Sequence, residues 1–141
     1  MSSQIVRILF AIFLLAHGWV HMSLTQVPIP KPGALRTPFF PAWWRRGVDP
    51  AWPAYKLGLS EKAVQTLGWV LWLLVVAAYS LAAALYWLMP SSAGLWQGFT
   101  AAGSLPSLVL LALYWHPWLP VGVLIDLLLL SAVFLRWPRL P

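Results

Sequence analysis

Four apolar runs alternate with short polar punctuation along the chain, at residues 5–24, 64–89, 93–115 and 119–135. About 20 residues at ~1.5 Å rise each cover a hydrocarbon core of roughly 30 Å, so each run is close to the length of a membrane-spanning helix. The first is broken only by Arg7 near its start. A cleaved signal peptide with Arg7 in its basic head is the rival reading. No small-x-small cleavage site follows, however, and His17, Gly18, Trp19 and His21 interrupt an ordinary signal-peptide core.

Between the first two runs lies the one long polar segment, residues 25–60, which holds Pro28, Pro30, Pro32, Pro38, Pro41, Pro50 and Pro53. Proline removes backbone donors and forbids continuous helix, so most of this loop is expected to be extended or turned. Trp43, Trp44, Arg45 and Arg46 at its centre suit a headgroup layer, where indoles sit half dry and guanidiniums stay wet. Two roles fit: a loop lying on the membrane surface, or a lid over a pocket.

Local signals set the other boundaries. Ser60 before Glu61 reads as an N-cap with an acid in the first turn. Pro90 stops the second helix, Ser91 and Ser92 form a turn able to cap the third, and Pro106 predicts a kink inside it. His116, Pro117, Trp118 and Pro120 make the next short turn, and Arg136, Trp137, Pro138 and Arg139 end the fourth run. The expected architecture is all-α: an integral membrane four-helix bundle, helices at about 4–24, 61–89, 93–115 and 119–136, with a long Pro/Trp-rich loop between helices 1 and 2. Short turns force antiparallel neighbours. Small residues four apart (Gly98 and Ala102, Gly103 and Ser107, Ala78 and Ala82) would let helices approach closely in lipid.

Composition sharpens this picture. The chain is 61% hydrophobic and 9% charged, against about 25% charged in a soluble domain. The net charge of +6 comes from basic residues outside the apolar runs, which points to the lipid bilayer and its anionic headgroups. No nucleic-acid-binding pattern is present. With no cysteine, disulfides, thiolate metal sites, covalent haem attachment and dithiol relays are excluded. Lys31, Arg36, Arg45, Arg46, Lys56 and Lys62 lie on the long-loop side, against Arg7, Arg136 and Arg139 opposite. Positive-inside counting therefore predicts a multi-pass protein of the cell membrane, its long loop cytoplasmic and both termini outside.

The candidate chemistry lies inside the apolar runs. Asp126 sits in the most apolar stretch of the chain, where an ionised carboxylate costs about 2.5–3.5 kcal/mol and needs a partner. It stands seven residues beyond Leu119, and His17 stands seven before Leu24. Both should therefore lie about 10 Å in from the long-loop side. His21 is one turn nearer the surface on the same face as His17, and His116 lies in the turn on that side. Three chemistries fit. One is a purely structural His–Asp hydrogen bond. The second is a proton-handling or quinone-binding pocket, with His17 and Asp126 as the proton-active pair and His21, His116, Gln65 and Trp69 as ligand-binding residues; imidazoles and buried carboxyls exchange protons near neutral pH. The third is a metal site, haem included, built on His17, His21 and Asp126, since two His at i, i+4 with a carboxylate make a recognised ligand set. Ser104 and Ser107 are expected to bond back to their own helix, and Tyr114 is a further candidate for the cluster.

The segment Arg7-Ile-Leu-Phe-Ala-Ile-Phe-Leu-Leu-Ala-His17-Gly18 resembles the opening of DoxX-like membrane proteins, which begin with an Arg, an apolar run and a His-Gly pair, followed by a loop and three more helices. The resemblance implies association with quinol or thiosulfate oxidation and with a larger membrane oxidoreductase, and carries over Arg7, His17 and Gly18. The long Pro/Trp-rich loop departs from the short Gly-rich loop usual there. The expected function is thus a small membrane subunit or accessory protein of a membrane redox system. The alternatives are a structural or assembly subunit whose loop docks a larger partner, or a small transporter, which would need a homo-oligomer to form a path.

Overall fold

The computed structural model describes residues 3–21, 52–89, 92–115 and 119–136. Among these residues the protein is all-helical, with no strand. Four long helices, α1 (Ser3–Val20), α3 (Glu61–Leu88), α4 (Ala93–Leu113) and α5 (Pro120–Phe134), are joined by a one-and-a-half-turn helix α2 (Trp52–Lys56). The central part of the Pro/Trp-rich loop, with Trp43, Trp44, Arg45 and Arg46, lies outside the described residues, as does His116.

Capping follows the sequence at one end and departs from it at another. Ser60 is extended (φ −68, ψ 156) and its hydroxyl accepts from the Ala63 N–H at 3.2 Å, which starts α3. Ser92 occupies the equivalent place before α4 but makes no side-chain cap bond. Helix α4 runs through Pro106 without ending. Proline breaks the expected extended loop in the other direction too: Pro53 falls in the first turn of α2, where its fixed φ suits a helix and no donor is lost. Gly58, in the left-handed region at φ 76, then turns the chain from α2 into α3.

The long helices pack in the order α1 on α3, α3 on α4 and α4 on α5, so α3 and α4 form the middle of the bundle. Helix α2 rests on α3 and α4, where Ala54 is buried with Val64, Trp72, Leu110, Leu111, Tyr114 and Leu119. A second apolar cluster holds Leu14, Val75, Tyr79, Ala82, Ala83 and Leu129. The outside is equally apolar: Ile5, Ile12, Leu73, Leu74, Leu81, Leu105, Leu124 and Leu128 are all exposed. The inside, by contrast, holds His17, His21, Thr100, Ser104, Ser107 and Asp126. Lys62–Leu88, at 27 residues, and Gly94–Leu113, at 20, are long and apolar enough to cross a membrane; Gln4–Val20 and Pro120–Phe134 are shorter apolar helices.

Two glycines shape the centre. A Cβ on Gly18 of α1 would lie 3.2 Å from Tyr79 Cβ, and a Cβ on Gly103 of α4 would lie 3.2 Å from three atoms of the Tyr79 ring. Tyr79 of α3 therefore fits because both neighbouring helices present bare backbone to it. Gly122 serves α5 in the same way, against Leu111. Of the small-residue pairs, Gly103/Ser107 and Ala78/Ala82 face the core, whereas Gly98 and Ala102 point outward and nothing lies within 4 Å of a Cβ on Gly98.

These glycines give opposite expectations on one helix. Gly103→Ala presses on a ring held from both sides and should destabilise the fold by about 1–3 kcal/mol. Gly98→Ala meets open space and should be neutral to stabilising by up to about 1 kcal/mol. Thermal unfolding of the purified variants measures both.

Candidate functional site

A carboxyl group in an apolar core needs donors, and Asp126 of α5 has them from each of the other three long helices. It has no solvent exposure at all. The His17 Nε2–H of α1 donates to Oδ1 at 2.8 Å, the Tyr79 hydroxyl of α3 donates to the same oxygen at 2.6 Å, and the Ser107 hydroxyl of α4 lies 2.5 Å from Oδ2. The bond between His17 and Asp126 joins α1 to α5, which are not among the closely packed helix pairs.

The network continues on both sides. Ser107 Oγ is 2.7 Å from His21 Nε2, and the His21 Nδ1–H donates to the His17 carbonyl at 2.8 Å. Tyr79 Oη lies 2.9 Å from Ser104 Oγ, which in turn reaches the Thr100 carbonyl at 3.0 Å. Thr100 bonds back to the Trp96 carbonyl at 2.8 Å. The His17 ring is fixed by aromatic edges as well: it stacks on Phe13 and meets Tyr79 and His21 edge-on, with centroid distances of 6.0, 5.3 and 5.1 Å.

Counting hydrogens constrains the protonation of this cluster. His21 Nδ1 is committed as a donor to a carbonyl, so a neutral His21 offers only an acceptor at Nε2. Ser107 has one hydrogen but stands between two close acceptors, His21 Nε2 and Asp126 Oδ2. Both bonds form only if a second hydrogen is supplied, either by an imidazolium Nε2–H or by a carboxylic acid at Oδ2. In either form, His21 and Asp126 together carry no net charge. That neutrality matters in a low-dielectric interior, where an unpaired ion costs several kcal/mol. Moving the serine hydrogen one way and the extra proton the same way interconverts the two forms without moving a heavy atom.

The same atoms could also face a cation. One ligand atom each from His17, His21 and Asp126 lies within 4.8 Å of the others. The His21 Nδ1–H bond to a backbone carbonyl is the kind of outer contact that orients metal-bound imidazoles. Against this, His17 Nε2 and Asp126 Oδ1 are only 2.8 Å apart, whereas ligands at ~2.0 Å on a tetrahedral ion sit about 3.3 Å from each other. A metal would have to spread that pair and take His21 Nε2 away from Ser107.

The structure thus brings together three of the residues picked from the sequence, His17, His21 and Asp126. Gln65 and Trp69 are exposed on α3 and make none of these hydrogen bonds; Trp69 instead meets Trp72 edge-on at 5.3 Å, and Trp72 meets Trp19 of α1 at 5.9 Å. The Tyr114 hydroxyl donates to the Val64 carbonyl and ties α4 to the start of α3. Sequence reasoning passed over Tyr79 and assigned Ser107 to a local backbone bond. Ser107 was within reach of the same depth count that paired His17 with Asp126: it lies six residues before the end of α4, as Asp126 lies six after the start of α5. No family model, no curated protein and no solved structure matches this chain.

The hydrogen count separates two substitutions at one position. Asp126→Asn can accept from His17 and Tyr79 through Oδ1 and donate from Nδ2 to Ser107, which then donates to neutral His21. It mimics the protonated acid and should lie within about 1 kcal/mol of wild type. Asp126→Ala strands the donors of three helices and should cost about 3–5 kcal/mol. Equal losses for the two in chemical or thermal unfolding would contradict the assignment.

Proposed function

We propose that this chain is a multi-pass membrane subunit whose buried His17–Asp126–Ser107–His21 centre takes up and releases a proton for a membrane redox system. The observation that carries the proposal is Ser107, standing between His21 Nε2 at 2.7 Å and Asp126 Oδ2 at 2.5 Å with a single hydrogen to give. A purely structural clamp needs donors for a carboxylate; it does not need a site that is complete only when one exchangeable proton is present.

Membrane placement of the whole bundle is supported by the many leucines, isoleucines and valines on its outside and by the burial of His17, His21, Thr100, Ser104, Ser107 and Asp126 inside. At ~1.5 Å per residue the 18 residues of α1 span about 27 Å and the 15 of α5 about 22 Å. With their flanking tryptophans and arginines, both can cross alongside α3 and α4. The redox assignment rests on the resemblance to DoxX-like proteins and on chemistry: quinol oxidation releases protons with its electrons, so a quinone-linked partner needs a proton acceptor close to the membrane surface. His21 is the member of the centre nearest the long-loop end. The reading of a structural subunit that docks a larger oxidoreductase shares this placement and lacks the proton step. A metal on His17, His21 and Asp126 is the second reading, favoured by their mutual 4.8 Å spacing.

Infrared spectroscopy of carboxyl-labelled protein, joined to nitrogen NMR of His21, tests the centre. Near neutral pH either a protonated-carboxyl band of Asp126, absent in Asp126→Asn, or a His21 imidazolium signal is expected, and Ser107→Ala should uncouple the two. Added quinone should shift those signals. If the signals are present and quinone leaves them unmoved, the redox role fails and the proton centre stands. If neither form is found, the proposal fails, and stoichiometric metal in the purified protein would replace it with the metal site.

Topology has a separate check, made clean by the absence of native cysteine. In intact cells an impermeant maleimide should label Ser2→Cys, and Thr37→Cys only after permeabilisation. The reverse pattern would invert the orientation, and labelling of both would deny that α1 crosses.

A further inference from the structure

Three buried donors among the described residues lack an acceptor: Arg7 Nε, Trp72 Nε1 and Trp96 Nε1. An unpaired buried N–H costs about 1–3 kcal/mol, so each one calls for a reason. Trp72 stands apart, at the seam of α1 and α3 beside Trp19 and Trp69. Arg7 and Trp96 belong to one neighbourhood, at the end of the bundle opposite His21. Trp96 is only 1% exposed and packs edge-on to Tyr86 and Phe10, with centroids 5.0 and 5.9 Å away. Phe10 meets Tyr86 at 4.9 Å. Arg7 is one helical turn before Phe10 on the inward stripe of α1.

Arg7 and Trp96 bring donors alone to this group. An indole N–H and a guanidinium cannot accept, and they cannot satisfy each other. Asp126, the acid buried in the bundle, is already engaged by His17, Tyr79 and Ser107. We infer that Arg7 and Trp96, walled by Phe10 and Tyr86, form a binding site for an anionic phosphate oxygen at the terminal end of the bundle. A guanidinium and an indole N–H are both donors to phosphate oxygens, and a phosphate bonded to charged donors is held more firmly than one bonded to neutral donors. The site lies within the first two turns of α1 and the first turn of α4, the level at which a headgroup meets a membrane-spanning bundle. A lipid phosphodiester and free inorganic phosphate share this chemistry. The lipid source rests on the membrane placement proposed above, and the site itself does not.

The test uses the full-length protein in a phosphate-free maltoside detergent. Its thermal unfolding is followed during titration with short-chain phosphatidylglycerol and, separately, with inorganic phosphate, for wild type, Arg7→Gln, Arg7→Lys and Trp96→Phe. Trp96→Phe keeps a ring against Tyr86 and Phe10 and deletes only the N–H donor and ring bulk, so it reports even if an Arg7 variant fails to fold. Stabilisation of wild type by lipid, with the half-saturating concentration raised about tenfold or more in Arg7→Gln and Trp96→Phe, is the expected result. A response to lipid alone identifies a headgroup site. A response to inorganic phosphate as well identifies a free-anion site, and that outcome stands even if the protein proves not to need detergent. No stabilisation by either probe, or stabilisation that all variants retain in full, overturns the inference.

Discussion

The bundle is organised around a single carboxyl group. Asp126 is fully enclosed, and its partners come one from each of the other long helices: His17, Tyr79 and Ser107. Apolar packing is weakly directional, and under the proposed membrane placement a leucine facing a neighbouring helix is little different from one facing an acyl chain. Hydrogen bonds to one buried oxygen pair are directional. They fix the rotation of α1, the depth of α3 and the register of α4 against α5 at one point. The His17 bond matters most for closure, since it reaches across helices that do not otherwise pack closely.

What allows the convergence is bare backbone. The Tyr79 side chain passes between Gly18 and Gly103: a Cβ on Gly18 would lie 3.2 Å from the Tyr79 Cβ and 3.4 Å from its ring, and one on Gly103 3.2 Å from the ring. The tyrosine hydroxyl arrives at Asp126 because two helices leave out a methyl-sized group at the same level. Packing and chemistry are therefore the same set of residues here, and the polar centre cannot be altered without consequence for helix spacing.

Much of this was legible in the sequence and some was not, for identifiable reasons. Helix count, the Ser60 cap and the stop at Pro90 follow from local rules. The proximity of His17, His21 and Asp126 follows from counting residues inward from the ends of short helices. The count fails for Tyr79, which lies 18 residues into α3. At 28 residues that helix is the longest of the four, so a count from its start does not give the same depth as a count from the ends of the shorter helices. Ser107 was hidden by a general habit of helical hydroxyls, which Ser104 and Thr100 follow and Ser107 does not. Gln65 and Trp69 share the right end of the bundle but the wrong face of α3, a distinction that an apolar sequence, with hydrophobic residues on every side, does not encode.

The position of the carboxyl in chain order has a consequence for biogenesis. Asp126 resides on α5, which leaves the ribosome after α1, α3 and α4 and is the shortest of the four long helices, at 15 residues. Under the proposed placement, α5 enters the bilayer carrying its least favourable residue near mid-helix, while the three side chains that hydrogen-bond it lie on earlier segments. Integration of α5 is then a templated step, conditional on the prior arrangement of α1, α3 and α4. A nascent chain with those helices misarranged would present quality-control machinery with an unmatched intramembrane acid, a recognisable mark of incomplete assembly.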